Sequence, residues 1–198
     1  MLRYDGTAKV IKIGHTHRTA PGELALVHAF LNTWHADGPR ERLDSPERVR
    51  DWLAKRSLLP PGRRISRKEF EAARRLRDAL RATIAAGGSA TGQRGHEELN
   101  ALVRNAPLFV KFDLSGRPRL VPGGCGFPAA VARIMAALVA GEAEGNWSRL
   151  KVCGNPECQR VFFDTSKNHS AIWCSSQICG NRMAARAYRV RMTPQNRP

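Results

Sequence analysis

Four cysteines near the C-terminus form two pairs with the same internal spacing. Four residues separate Cys153 from Cys158, four separate Cys174 from Cys179, and fifteen lie between the pairs. Thiolates are favoured ligands of Zn²⁺, which takes four of them in a tetrahedral shell. Four thiolates close that shell and leave no position for a substrate, so the spacing predicts one zinc ion with a structural role.

Other uses of the cysteines fit the sequence less well. Two disulfides would require export to an oxidising compartment, and redox cysteines usually have a two-residue gap near a βαβ unit. His169 could replace a cysteine as a ligand, although the paired spacing argues against it. Cys125 lies among glycines far from the cluster and is interpreted as an ordinary free cysteine.

A basic segment follows the second cysteine pair. Ser175 or Ser176 can cap a helix there, and arginines recur along it at the spacing of one helix face. A helix held by a zinc site can reach phosphates or base edges in a groove. The predicted nucleic-acid-binding residues are Lys167, Arg182, Arg186, Arg189 and Arg191.

Charge balance offers a second interpretation of part of this segment. A zinc ion with four thiolates carries two net negative charges. Arg160, Lys167 and Arg182 could compensate them without contacting a partner. The whole chain has a formal net charge of +16, from 33 Lys and Arg against 17 Asp and Glu. That imbalance favours a polyanionic partner, with nucleic acid first and an acidic membrane surface second.

Most of the elements that must position the cysteines are predicted to be helical. An apolar helical pattern starts near Glu23 and ends at Asn32 and Thr33. Two polar residues at the end of an apolar helix predict a ligand pocket, and a helix C-cap facing solvent is the alternative. Ser45 and Pro46 then provide the cap and first residue of a second helix.

The third helix has the clearest signals. Ser66 to Glu69 form a capping box, and Gly87-Gly88 ends the run. Six basic residues are assigned to its outer face, where solvation and pairing with Glu71 and Asp78 are favoured over a binding surface. These are Arg67, Lys68, Arg74, Arg75, Arg77 and Arg81.

The later elements complete a mainly α (α+β) fold. Further helices are expected at 97–104 and 128–140, with a β-hairpin between them at 108–121. The Gly- and Glu-rich stretch 141–146 is the predicted boundary. We therefore predict an independently folded helical sensor domain at 1–146, a small treble-clef or ribbon-like zinc module at 147–192 and a tail at 193–198.

Several functional classes are disfavoured. The first twenty residues lack the apolar core of a signal peptide, and no run approaches the eighteen apolar residues of a membrane span. A cytoplasmic location without membrane contact is the expectation. No nucleophile elbow, phosphate loop or histidine–glutamate metal motif is present, so no enzymatic activity is expected.

The predicted zinc module resembles the zinc finger of a known family. Cys179-Gly180-Asn181-Arg182 spells the tetrapeptide of the CGNR zinc fingers. Phe163-Asp164, Ser166-Lys167-Asn168 and Trp173-Cys174 also resemble that signature. CGNR fingers usually follow a mostly helical ABATE domain, which is named for stress-induced transcription regulators.

The N-terminal part is similar to that ABATE domain. Its Leu-rich helix ends in Asn32-Thr33, and a D-x-x-P…W-L run spans Asp44 to Leu53. His28-Ala29 stands where the family has an acidic start. The resemblance implies a DNA-binding transcription regulator with a signal-sensing or dimerising domain, a small-molecule effector and a homodimer. An RNA-binding or ribosome-associated protein is the alternative.

Overall fold

The regular structure is mainly helical, with two short antiparallel hairpins. The computed structural model describes residues 19–37, 41–87 and 92–192, so the predicted tail at 193–198 lies outside the described residues. The helices are α1 (Leu24–Leu31), α2 (Pro46–Ala54), α3 (Arg67–Ala86), α4 (Gly92–Val103), α5 (Gly126–Ala143) and α6 (Asn181–Met192). The strands are β1 (Leu108–Phe112), β2 (Pro118–Pro122), β3 (Leu150–Val152) and β4 (Val161–Phe163). The predicted mainly α class is confirmed.

Local capping explains where α2 and α3 begin and where α3 ends. The Ser45 hydroxyl accepts a hydrogen bond from the Arg48 amide at 3.2 Å, and Pro46 follows as the first helical residue. At α3, the Ser66 hydroxyl accepts from the Glu69 amide while the Glu69 carboxylate accepts from the Ser66 amide. Gly87 ends α3 with φ of 54°, which glycine adopts without a Cβ penalty. The capping predictions are confirmed.

Helix α5 is the central helix of the core. It packs closely on α1, because a Cβ atom at Gly141 would lie only 2.7 Å from the Leu24 Cδ1. By length and composition α5 could cross a membrane, but half of it is buried inside the protein. Burial of its apolar surface, at about 25 cal/mol per Å², holds the helices together.

The hydrophobic core continues across the predicted domain boundary. Leu150, Val161 and Phe163 belong to the same buried cluster as the residues of α1, α3 and α5. These three side chains belong to the β3–β4 hairpin that carries the first cysteine pair. The structure therefore differs from the expectation of two separate cores, because the hairpin places apolar side chains in the helical core.

The predicted outer face of α3 is wrong for two of its six basic residues. Arg77 is 1% exposed and Arg81 is 7% exposed, so both lie inside the protein. Arg77 follows Ala73 by four residues and precedes Leu80 by three, which places it on the buried side of the helix. Burial of these two guanidinium groups is possible because each meets several hydrogen-bond acceptors, as described below.

Candidate metal centre

The first cysteine pair lies in the turn between β3 and β4. The two strands pair in antiparallel register, and the Cys153 amide donates to the Arg160 carbonyl at 2.8 Å. Asn155 shapes the turn, since its carbonyl accepts from the Cys158 amide at 2.9 Å and its side-chain Oδ1 accepts from the Glu157 amide at 3.1 Å. The turn therefore points both cysteines of this pair toward one position.

The second cysteine pair lies at the start of α6. Ser175 caps a π-helical turn over Ser176–Gly180, because its hydroxyl accepts from the Ile178 amide at 3.3 Å and its carbonyl accepts from the Cys179 amide at 2.9 Å. This turn runs directly into α6. Cys179, a candidate metal ligand, therefore lies immediately before the basic helix.

A close backbone approach brings the two pairs together. The Gly154 amide donates to the Ile172 carbonyl at 3.0 Å. A Cβ atom at Gly154 would lie 2.9 Å from the Ile172 side chain and 3.0 Å from the Trp173 ring. A larger residue would force the Ile172 and Trp173 side chains to shift, so glycine allows this approach without rearrangement.

The four sulfur atoms fit a tetrahedral metal site. The Sγ atoms of Cys153, Cys158, Cys174 and Cys179 all lie within 4.8 Å of one another. The Cys158–Cys174 and Cys174–Cys179 Sγ distances are 3.7 and 3.6 Å. Zinc–sulfur bonds of about 2.3 Å in a tetrahedron require sulfur separations of about 3.8 Å, whereas a disulfide requires about 2.05 Å. These cysteines are therefore suited to hold a zinc ion and are not disulfide-bonded.

The thiols also show why the site favours a cation. Hydrogen bonds from the Cys158 and Cys174 thiols lower the pKa of Cys153. The pKa of Cys174 is raised, because Cys153 and Cys158 compete for the same charge and burial disfavours another thiolate. A divalent cation removes this mutual repulsion, since it binds thiolates and displaces their protons.

Asp164 organises the loop that leads to the second cysteine pair. Its carboxylate accepts from the amides of Ser166 and Ala171 at 2.8 and 3.0 Å and pairs with the Lys151 Nζ at 2.7 Å. Although burial opposes it, these hydrogen bonds hold the pKa of Asp164 below its ordinary value. The loop is thereby held at both ends of its span.

Asn32 attaches helix α1 to strand β4. Its Oδ1 accepts from the Val161 amide at 3.0 Å and its Nδ2 donates to the Val161 carbonyl at 2.9 Å. The Nε2 of His28 lies 3.0 Å from the same carbonyl. One side-chain amide thus meets both backbone groups of a strand residue, as a neighbouring strand would. The predicted pocket role of Asn32 stays a prediction, while this contact already gives the residue a structural partner.

Thr33 belongs to a second buried network. Its hydroxyl donates to the Phe30 carbonyl at 2.7 Å and accepts from Arg77 at 3.4 Å. Arg77 also binds both carboxylate oxygens of Glu41, at 2.6 and 2.9 Å, and pairs with Asp78. Two carboxylates therefore neutralise Arg77. The pocket role of Thr33 likewise stays a prediction.

Arg81 is the buried residue near the cysteines that sequence analysis missed. Its Nη1 donates to the carbonyls of Leu31 and Trp34 at 3.0 and 3.2 Å, and its Nη2 donates to the carbonyl of Gln159. Burial and the nearby Arg77 lower its pKa to about 10. A signal was present in the sequence, since Arg77 and Arg81 are four residues apart beside the apolar positions of α3.

The predicted nucleic-acid-binding side chains are exposed. Arg182, Arg186 and Arg189 of α6 line a cavity of about 200 Å³, together with Asn155 and Glu157 of the first cysteine turn. The Glu157 carboxylate lies 3.9 Å from the Arg186 guanidinium. The other two predicted residues, Lys167 and Arg191, are exposed outside this lining.

Fold and site together define a zinc-finger protein in which a four-cysteine module follows a helical part. Residues 149–192 match the CGNR zinc finger, and residues 24–142 match the family described as "putative stress-induced transcription regulator", ABATE. The chain therefore belongs to the ABATE family, and the predicted order of the two regions is confirmed. No curated protein is significantly similar to the chain. The two matches indicate a zinc-binding regulator.

Proposed function

We propose that this protein is a transcription regulator that binds duplex DNA through the exposed face of α6. The observation that carries the proposal is the position of Arg182, Arg186 and Arg189, which line one cavity beside the cysteine cluster. The cysteines fix the first turn of α6, so these arginines are presented in one orientation. Arginine side chains arranged in this way bind phosphates and can pair with guanine edges.

The zinc finger is proposed to hold one zinc ion per chain with a structural role. Four thiolate ligands leave no coordination site for water or substrate. Elemental analysis of protein purified without chelators should give one zinc per chain, and a folded protein without metal would contradict the proposal. This closed centre supports binding rather than catalysis, and the proposed location is the cytoplasm.

The test is a comparison of salt dependence between wild type and the Arg186→Ala, Arg189→Ala double variant. Each phosphate contact contributes about 0.9 to the slope of log affinity against log salt concentration on duplex DNA. The double variant should lose about 1.8 of that slope if both arginines contact phosphates. If one of them reads a guanine, discrimination at a single base pair should fall by about 1–3 kcal/mol.

A matched control removes the same charge elsewhere. Arg48 of α2 and Arg67 of α3 are both exposed, so Arg48→Ala, Arg67→Ala changes the net charge equally. That control should keep the wild-type slope. An α6 variant that retains its zinc and binds duplex DNA with unchanged affinity and slope would refute the proposed binding face.

Recognition of single-stranded RNA is the second candidate. Tyr188 on α6 is 58% exposed, and Trp173 lines a separate open cavity of about 280 Å³ beside Cys174. Exposed aromatic rings stack on unpaired bases. Substituting Tyr188→Ala should weaken RNA binding more than duplex binding if this candidate is correct. Equal affinity for random duplex DNA and single-stranded RNA would favour neither class.

The helical part is proposed to sense an effector or to form a homodimer. Its β1–β2 hairpin exposes Phe109, Val110 and Phe112, and Phe112 is 72% exposed. Exposed apolar side chains on a two-stranded sheet favour association with another surface. Light scattering should show a dimer that Phe112→Ser weakens. Monomeric wild-type protein at micromolar concentration would contradict dimerisation through this hairpin.

A further inference from the structure

Arg81 bridges the helical part and the cysteine module. It lies on α3, yet its Nη2 donates to the carbonyl of Gln159, the residue that follows Cys158. Its Nη1 donates to the carbonyls of Leu31 and Trp34 at the end of α1, and its guanidinium lies 4.7 Å from the centroid of the Trp34 ring. One side chain therefore holds two helices and the first cysteine turn.

Arg81 and Arg77 differ in how their positive charges are compensated. Arg77 forms ion pairs with Glu41 and Asp78. Among the described residues, no carboxylate is hydrogen-bonded to Arg81, whose partners are three carbonyl groups. A buried cation without a counter-ion is costly, and carbonyl dipoles offset only part of that cost. Asp78 attracts Arg81 through space, but burial and the nearby Arg77 outweigh that attraction and lower the pKa of Arg81. A further negative charge nearby would therefore stabilise the buried cation.

The cysteine cluster provides that charge when a metal is bound. A zinc ion held by four thiolates has two net negative charges, and Cys158 is one of those ligands. The Ala36 amide donates to the Cys158 carbonyl at 2.9 Å, so the helical part also holds the backbone of this ligand directly. Electrostatic attraction from Asp78, and after it from Cys158, acts on Arg81 in the direction that favours its charged form.

We propose that Arg81 is the counter-charge of the zinc centre, and that this pairing makes zinc binding and docking of the finger on the helical part mutually dependent. Arg81 is a positioning residue, since it acts through the turn that holds Cys158 and does not bind the metal. Thermodynamic linkage makes the coupling reciprocal: zinc strengthens docking, and docking strengthens zinc binding. The inference is independent of whether α6 binds DNA.

Zinc affinity, measured by competition with a chromogenic chelator, tests the pairing. Residues that support metal ligands from outside the coordination shell typically change affinity by about 10–100-fold. Arg81→Met should lower zinc affinity by at least about tenfold. Arg81→Lys keeps the charge and should retain most of the affinity. Arg75→Met is the matched control on the same helix, because Arg75 has a 62% exposed side chain, and it should bind zinc as wild type does.

Thermal unfolding with and without zinc separates the pairing from an ordinary packing role. Zinc should raise the Tm of wild type more than that of Arg81→Met. In the metal-free proteins, Arg81→Met should be as stable as wild type or more stable, because the variant has no uncompensated buried charge. Equal loss of Tm in both states, with wild-type zinc affinity, would reduce Arg81 to a packing residue and overturn the proposal.

The lysine variant keeps the proposal testable if Arg81→Met does not fold. Zinc affinity of Arg81→Lys close to wild type supports charge compensation. Zinc affinity reduced by more than tenfold, in an Arg81→Lys protein that folds, would show that the hydrogen-bond pattern rather than the charge is required, and would overturn the pairing. Amide hydrogen exchange adds an independent readout, since zinc removal should increase exchange over residues 31–36 in wild type.

Discussion

Asn32 is a single residue on which the attachment of two parts of the protein depends. Its side-chain amide binds both the amide and the carbonyl of Val161, across 129 positions of sequence. Sequence analysis singled out Asn32 because a polar residue ended an apolar helix, but it could not identify the partner. A helix pattern gives the face on which a side chain lies, whereas the partner depends on tertiary packing.

Asn32→Ala should destabilise the protein by about 1–3 kcal/mol. The change leaves the buried Val161 amide without a partner, and an unsatisfied buried donor costs about that much. Chemical denaturation of the zinc-loaded protein measures the difference. Asn168→Ala, an exposed site on the loop after β4, serves as the control and should stay within about 0.5 kcal/mol of wild type. Equal stability of the two variants would contradict the structural role of Asn32.

Because His28 is buried, we expect the protein to lose stability in mild acid. Burial lowers the pKa of His28 from 6.5, although the bond to the Val161 carbonyl opposes the shift. Below pH 6.5 the unfolded chain therefore binds a proton that the folded protein does not. The free energy of unfolding should then fall by up to about 1.4 kcal/mol per pH unit until the lowered pKa is reached.

Denaturation between pH 7.5 and about 5 checks this dependence. His28→Gln removes one titrating group and should reduce the slope, leaving the part due to His35, whose pKa burial also lowers. His96→Gln, at an exposed site on α4, should keep the wild-type slope. Loss of zinc in acid affects all three proteins, so the comparison isolates the contribution of His28. A slope that is the same in wild type and His28→Gln would show that another group controls it.

At the scale of elements, the ends of helices were easier to predict from the sequence than the side chains that each helix buries. Caps and glycine stops act within one turn, so the starts of α2 and α3 and the end of α3 followed from Ser45, Ser66 and Gly87. The arginines of α3 were assigned to its outer face because arginine is rarely buried, although the helical spacing places Arg77 beside Ala73 and Leu80. Burial of Arg77 depends on Glu41, which lies 36 positions away and could not be paired with it from the sequence.

Glu157 is the acidic side chain that lines the cavity beside the α6 arginines. The Glu157 carboxylate lies 3.9 Å from Arg186 and repels an approaching phosphate. Glu157→Gln should therefore strengthen binding to random duplex DNA in low salt, and the gain should shrink as salt is added. Glu142→Gln, at an exposed position of α5, changes the net charge equally and should have a smaller effect. Equal gains from both variants would indicate an effect of net charge alone.

At the scale of the whole molecule, the cysteine cluster was predictable from the sequence, whereas the core shared by the helical part and the β3–β4 hairpin was not. Two cysteine pairs specify a site because each pair is local and zinc supplies the long-range connection. No comparable sequence pattern marks the apolar side chains of the β3–β4 hairpin. Their three-residue strands gave no signal that Leu150, Val161 and Phe163 pack into the helical core.

Truncation tests that shared core. A chain ending at residue 146 loses the three hairpin side chains and leaves His28, Asn32 and Arg81 without their partners in the finger. We expect its Tm, followed by circular dichroism, to lie well below that of the full chain. A chain ending at residue 192 keeps every described residue and should melt with the full chain. Identical melting of the 1–146 chain would show that the helical part is self-sufficient.

The contact between Asn32 and Val161 also limits how the finger can be transplanted. A two-stranded hairpin has free edges, and an unpaired edge invites strand addition by another polypeptide. Here a side-chain amide from a helix covers part of the β4 edge. A CGNR finger from this chain fused to a foreign domain would expose that edge, and we expect it to self-associate unless the graft includes the end of α1.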